Sequence, residues 1–189
     1  MTPLYFRNID ASWTLFLDRD GVINIEKEND YIYSWDEFRF YDDALPAIQA
    51  FSRLFGKVII LTNQRGVGKG FMSEAQLREI HENMLQAISL TGGRIDAIYT
   101  CTAVNDDDPR RKPNCGMALE AKQDFPDIDF ERSVMIGNRL SDMQLGKSLG
   151  MKTIYLQTTH PEYGTEHPLV DVAFGSLAEV VNAIRLERI

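Results

Sequence analysis

The sequence is poor in residues that make structural crosslinks, with only two cysteines, Cys101 and Cys115, and three histidines among 189 residues. Two thiols are too few for a disulfide framework or a four-cysteine zinc site. Long apolar runs are also missing. The longest aliphatic run is Val58 to Leu61, far short of the roughly 20 residues a membrane helix needs. The opening stretch, MTPLYFRNIDASW, has neither the cationic start nor the apolar core of a secretory signal. These absences predict a cytoplasmic protein with no membrane partner. Positive charge is the third scarcity: 20 Lys and Arg face 28 Asp and Glu, a formal net charge of −8. That balance counts against nucleic acid or anionic lipid as a partner and still permits a local basic site.

What remains is ordinary for a folded soluble chain, at 44% hydrophobic and 25% charged. The length supports one well-buried core, so residues 1–189 are read as a single domain. Apolar runs recur at 13–17 (WTLFL), 57–61 (KVIIL), 95–101 (IDAIYTC), 133–136 (SVMI) and 152–156 (KTIYL). They lack clean polar alternation, which suits strands covered on both faces. Helical spacing fills the intervals: 43–55, 74–90 behind the capping pair Ser73 and Gln76, a segment near Met117, 142–149 stopping at Gly150, and one from Ser176. This alternation predicts an α/β fold, a Rossmann-like doubly wound and mostly parallel sheet of about five strands with helices on both faces. Residues 158–168, TTHPEYGTEHP, read as the longest loop, on the surface.

In such sheets ligands bind at the carboxyl ends of the strands. The first strand ends in Asp18 and Asp20 flanking Arg19, and the second in Thr62, Asn63 and Gln64. The third leads to Arg110, Arg111 and Lys112, and the fourth ends in Gly137, Asn138 and, four residues on, Asp142. Two like charges about 4 Å apart repel by roughly 4 kcal/mol at an effective dielectric of 20, so three carboxylates on one rim require cations. Mg²⁺ accepts oxygen ligands from carboxylates and from phosphate, and the combination suits phosphoryl transfer.

The segments LFLDRDGVIN, TNQRGVGKG, RKPNCGM and IGNRLSDMQLG resemble, in order, the four motifs of the haloacid dehalogenase (HAD) superfamily of phosphatases. The resemblance spans residues 13–157 and runs closest to the heptose 1,7-bisphosphate and histidinol-phosphate phosphatase branch. It implies an HAD-like fold and a Mg²⁺-dependent phosphomonoesterase acting on a small phosphorylated metabolite. Asp18 would be the nucleophile, Asp20 the acid and base, and Lys112 the bridge between nucleophile and phosphate. Thr62, Asn63, Gln64, Arg65, Arg110, Arg111 and Arg139 would bind substrate. Asp18, Asp20, Asn138 and Asp142 would hold the metal.

Forty-three residues separate Asp18 from Thr62, and 49 separate Thr62 from Lys112. The loops, helices and strand already assigned use both intervals, leaving none for the cap domain that family often carries. An open site would draw specificity from loops or a second subunit, so a homo-oligomer stays open. The branch usually holds a structural zinc before the third motif. Here position 103 is Ala and 106–111 read DDDPRR, so no zinc is expected. Asn138 stands where the pattern has Asp, which predicts a metal site one charge poorer than its relatives. It also opens a second reading, a catalytically weak phospho-ligand-binding homologue. A third, a polynucleotide 3′-end phosphatase, rests on TNQRGVGKG and is opposed by the acidic balance. The same stretch is not a P-loop, because Asn63 stands where the first glycine is required and Gly70 follows Lys69. His81, beside an apolar helical stripe, reads as a partly buried or surface histidine.

Overall fold

The computed structural model describes residues 5–187; the outermost positions of the 1–189 span, including the first four of the N-terminal stretch, lie outside the described residues. The apolar runs form strands β1 (Thr14–Leu17), β2 (Lys57–Asn63), β3 (Ala97–Cys101), β4 (Ser133–Gly137) and β5 (Lys152–Leu156). Each is too short for a packed helix and is bounded by turn residues. A sixth strand, β6 (Val172–Phe174), extends the sheet beyond the five expected. Three residues carry too little periodicity to announce it. All neighbours pair in parallel, in the order β3-β2-β1-β4-β5-β6.

Alternate side chains of these strands face two separate cores, which is why the runs look uniformly apolar. Leu15, Leu17, Val58 and Ile60 pack with Ile48 and Phe51 of α1 (Ala44–Leu54), Ile80 and Met84 of α3 (Glu74–Leu90), and Val180 and Ile184 of α6 (Leu177–Glu187). Phe16, Ile59, Leu61 and Met135 pack with Met117 and Ala121 of α4 (Gly116–Asp124) and Met143 and Leu145 of α5 (Leu140–Ser148). Each such aliphatic side chain, fully buried, contributes about 1.5–3 kcal/mol over its exposed state. The expected cap of α3 is present: Ser73 Oγ accepts from Gln76 N (3.2 Å) and Gln76 Oε1 from Ser73 N (2.8 Å), an arrangement whose serine contributes about 1 kcal/mol.

Register assembles the site. Leu17 lies level with Ile60 on one side and Ile136 on the other. The chain therefore leaves β1 at Asp18 beside the ends of β2 and β4. The longest connection is residues 18–43, which holds a short 3₁₀ turn at Trp35–Glu37. Residues 158–168 correct the surface expectation in part: Thr158 donates to Gly21 O at 2.6 Å and Thr159 reaches Asn138, so the start of that loop abuts the strand ends.

Candidate active site

Asp18 is the first residue past β1. Its amide donates to Ile136 O (3.0 Å) and its Oδ1 accepts from Arg19 N (2.7 Å). Lys112 Nζ lies 2.9 Å from Asp18 Oδ1 and 2.7 Å from Asp142 Oδ1, and donates to Leu61 O at 2.7 Å. All three side chains are buried. Burial pushes the Asp18 carboxyl up to about 7, against the opposing pull of Lys112 and with the help of Asp142. Burial works to depress Lys112, but Asp142 and Asp18 overcome it and hold the ammonium above its ordinary value. A cation wedged between two carboxylates keeps the group from being an uncompensated buried charge.

Asp20 is held differently. Arg19 Nη2 donates to both its oxygens (2.9 and 3.0 Å), Asn24 Nδ2 to Oδ1 (3.0 Å) and Gln64 Nε2 to Oδ2 (2.8 Å). Burial would raise this carboxyl, yet the charge of Arg19 and the hydrogen bonds from Asn24, Arg19 and Gln64 bring it below the usual value. Arg19 is itself only 1% exposed and donates through Nη1 to His81 Nε2 at 3.0 Å. Burial and the guanidinium drive His81 down to about 3, so its ring is neutral and accepts.

The structure joins Asp18, Lys112 and Asp142 by ionic contacts and packs Asn138 against the Gly21 turn beside Glu26, and it reassigns the residues between them. Gln64 spends its amide on Asp20 and on Thr62 Oγ1 (2.8 Å), and so supports the carboxylate instead of presenting donors to an oxyanion. Asn63 clamps the Lys112 peptide, donating to its carbonyl and accepting from its N–H, both at 3.1 Å. Thr62 is fully buried beneath them. Arg110 corrects its expected place: its backbone is turned by a bond to Asp108 and its side chain pairs with Glu120 of α4 at 2.9 Å, away from the cavity. Arg65 and Arg111 share Asp106.

A cavity of about 640 Å³ opens over Asp18 and Asp20. Lys27, Arg65, Lys69, Arg111, Lys112 and Arg139 all line it. Asp18, Asp20, Glu26, Asp30 and Asp106 line it too, and ion pairs join Lys27 to Asp30, Arg65 and Arg111 to Asp106, Lys112 to Asp18 and Arg139 to Glu26, so the cleft is densely charged with the two signs nearly balanced.

At the end of β4 two glycines allow close approach. A Cβ at Gly137 would lie 2.3 Å from Asp142 Oδ2. Gly21 adopts φ +79°, and a Cβ there would lie 1.9 Å from Asn138 Nδ2. Asn138 Nδ2 donates to Glu26 Oε2 and to Thr159 Oγ1, both at 2.8 Å, while its buried Oδ1 has no hydrogen-bond partner. Asp142 Oδ1 also accepts no aligned hydrogen bond, having only its ionic contact with Lys112. Two buried oxygens at this strand end thus lack a hydrogen-bond donor, and every candidate ligand atom is oxygen, the chemistry that hard divalent cations such as Mg²⁺ require. Among the described residues no group of three or more His, Cys, Asp or Glu side chains is arranged for a metal, because Lys112 stands between Asp18 and Asp142 and position 138 is an amide. Any ion here would share the two carboxylates with Lys112 and add amide and backbone oxygens.

Sequence reasoning missed Arg19, Glu26 and His81. Arg19 stood in plain view inside Asp-Arg-Asp, and an arginine entering a buried strand end is a signal in itself. Glu26, in the charge-rich stretch IEKEND, gave none.

Residues 10–176 match the family described as polynucleotide kinase 3 phosphatase. A D-glycero-alpha-D-manno-heptose-1,7-bisphosphate 7-phosphatase from Campylobacter jejuni is 37% identical over 150 residues, covering 79% of this chain and 85% of the relative. The enzyme of the same description from Mycobacterium bovis is 30% identical over 173 residues, 91% of each chain. Among solved structures, a D,D-heptose 1,7-bisphosphate phosphatase from B. bronchiseptica, complexed with magnesium and phosphate, superposes with a TM-score of 0.84 at 28% identity over 93% of this chain and 99% of that one.

Proposed function

The chain belongs to the polynucleotide kinase 3 phosphatase family, within the HAD superfamily of phosphatases, and from that premise we propose that it is a Mg²⁺-dependent phosphomonoesterase acting on a small sugar phosphate. A D-glycero-D-manno-heptose 1,7-bisphosphate is the substrate its relatives' names favour. The observation that carries the reading is the Asp18–Lys112–Asp142 cluster, whose Asp18 and Lys112 line a densely charged cavity.

Asp18 attacks phosphorus, the bond to the sugar oxygen breaks, and an aspartyl-phosphate forms; water then attacks that phosphorus and returns the free carboxylate. Lys112 offsets the charge that gathers between nucleophile and phosphoryl oxygens. Asp20 gives a proton to the departing oxygen and takes one from the attacking water. Its dense donor set favours the ionised form, so the base half suits the geometry as it stands, and the acid half requires Arg19 to slacken its hold. The Asp18 and Asp142 carboxylates, the backbone carbonyl of Asp20 and the side-chain carbonyl of Asn138, which has no hydrogen-bond partner, would hold Mg²⁺. When bound, the ion neutralises and polarises phosphoryl oxygens. Arg65, Lys69, Arg111 and Arg139, further along the cavity, would take a second phosphate once Asp106 releases Arg65 and Arg111 and Glu26 releases Arg139.

The reading includes a single domain without a cap and a cytoplasmic setting. Among the described residues no helix is long and apolar enough to cross a membrane.

The test is phosphate release from a panel of phosphosugars, histidinol phosphate and a 3′-phosphorylated oligonucleotide at millimolar Mg²⁺. A heptose bisphosphate should lead the panel, and Asp18→Asn should cost at least about a thousandfold. Absence of Asp18-dependent release from every compound overturns the phosphatase reading; preference for the oligonucleotide, with steep salt dependence, replaces the sugar.

A further inference from the structure

Position 138 is committed to a neutral side chain by a residue 112 positions away. Glu26 Oε2 accepts from Asn138 Nδ2 at 2.8 Å, and Thr159 Oγ1 takes the other amide proton at the same distance. An ionised carboxylate can only accept, so it must face the NH₂ edge of the amide. Turning the amide over would set two acceptor oxygens against each other. The Oδ1 edge is therefore fixed by exclusion, buried and free of any donor. Gly21 closes the arrangement, since any Cβ there would fall 2.6 Å from Asn138 Cγ and 2.7 Å from Glu26 Oε2. Arg139, beside Asn138 in sequence, pairs with the other oxygen of Glu26.

We propose that Glu26 is a positioning residue that holds Asn138 with its carbonyl oxygen turned to the metal site. The carboxylate expected at position 138 has, in effect, been moved one side chain back, to position 26. The site is then not one charge poorer, as the bare motif implies; the charge stands behind the ligand instead of on it. An Asp at 138 would bring a second carboxylate against Glu26, so Asn138→Asp alone should fail to improve metal binding. Exchanging the pair, Asn138→Asp with Glu26→Gln, keeps the net charge and gives the new carboxylate an amide donor. This inference rests on the Mg²⁺ site of the proposed function.

Mg²⁺ binding to the full chain is measured by calorimetry for wild type, Asn138→Asp, Glu26→Gln and the exchanged double variant, with thermal unfolding of all four in EDTA. Asn138→Asp should bind Mg²⁺ no more than about threefold tighter than wild type, and the exchanged variant at least about tenfold tighter, as a ligand gaining one charge does. In EDTA Asn138→Asp should melt below wild type, and Glu26→Gln should restore the loss. A tenfold gain from Asn138→Asp alone, or a melting loss that Glu26→Gln does not relieve, overturns the coupling. If no variant binds Mg²⁺, the metal-dependent function fails, and the unfolding cycle still decides whether Glu26 dictates the neutrality of position 138.

Discussion

Replacing Lys112 by Met removes the cation that keeps Asp18 and Asp142 in one buried space and leaves a side chain of similar length. Each ionic contact, at 2.9 and 2.7 Å, has a gross coulombic value of about 6 kcal/mol at an effective dielectric of 20. Most of that offsets the desolvation of the ammonium, which is buried. What remains is the penalty of two carboxylates without a partner, and breaking a buried pair costs about 3–5 kcal/mol. At about 2–4 °C per kcal/mol for a chain of this size, the melting temperature in EDTA should fall by roughly 6–20 °C. The assay is urea and thermal unfolding of wild type, Lys112→Met and Lys112→Met/Asp142→Asn, each with EDTA and with excess Mg²⁺. The second substitution removes one of the stranded charges and should recover part of the loss. Mg²⁺ should stabilise the single variant more than it does wild type. A Lys112→Met chain within about 1 kcal/mol of wild type in EDTA would refute the account of Lys112 as the charge that lets this site fold.

Two further outcomes follow from the same geometry. His81 sits near 3 in the folded chain against an ordinary 6.5. Below pH 6.5 the unfolded chain therefore takes up a proton that the folded chain refuses. The stabilisation is whole above pH 6.5 and is lost toward pH 3 at up to about 1.4 kcal/mol per pH unit. Urea midpoints of wild type should fall more steeply from pH 7 to 4.5 than those of His81→Gln, and parallel curves would remove His81 from the pH response. Gly21→Ala combines a positive φ with a Cβ 1.9 Å from Asn138 Nδ2. It should cost at least about 3 kcal/mol, more than backbone strain alone, and a soluble variant melting with wild type would contradict the packing at this turn.

Much of the molecule was legible in its sequence because the relevant signals are local. The uniformly apolar strands announced a sheet covered on both faces, and Ser73 with Gln76 marked the start of α3. The order of short motifs, joined to the rule that ligands sit at carboxyl strand ends, put Asp18, Lys112 and Asp142 on one rim. What escaped was contact across long separations. Arg19 with His81 and Glu26 with Asn138 span 62 and 112 residues, and no periodicity records them. Hydrogen-bonding capacity also misled. Gln64 and Asn63 have the right groups for a phosphate, but a residue inventory does not say that Asp20 and the Lys112 peptide already use them.

The position of β1, between β2 and β4, has a consequence for how such an enzyme can diverge. Asp18, the proposed nucleophile, and Lys112 are tied to three buried central strands, where any shift would disturb both cores. Several rim cations come from elsewhere: Lys27 from the long connection after β1, and Arg65 and Lys69 from the turn after β2. Those segments can lengthen, shorten or change charge without moving the strand ends. On the proposed reading, the fold separates the bond-breaking residues from most of those that would select a molecule, so new substrates could be reached by exchanging peripheral segments while the reaction stays the same.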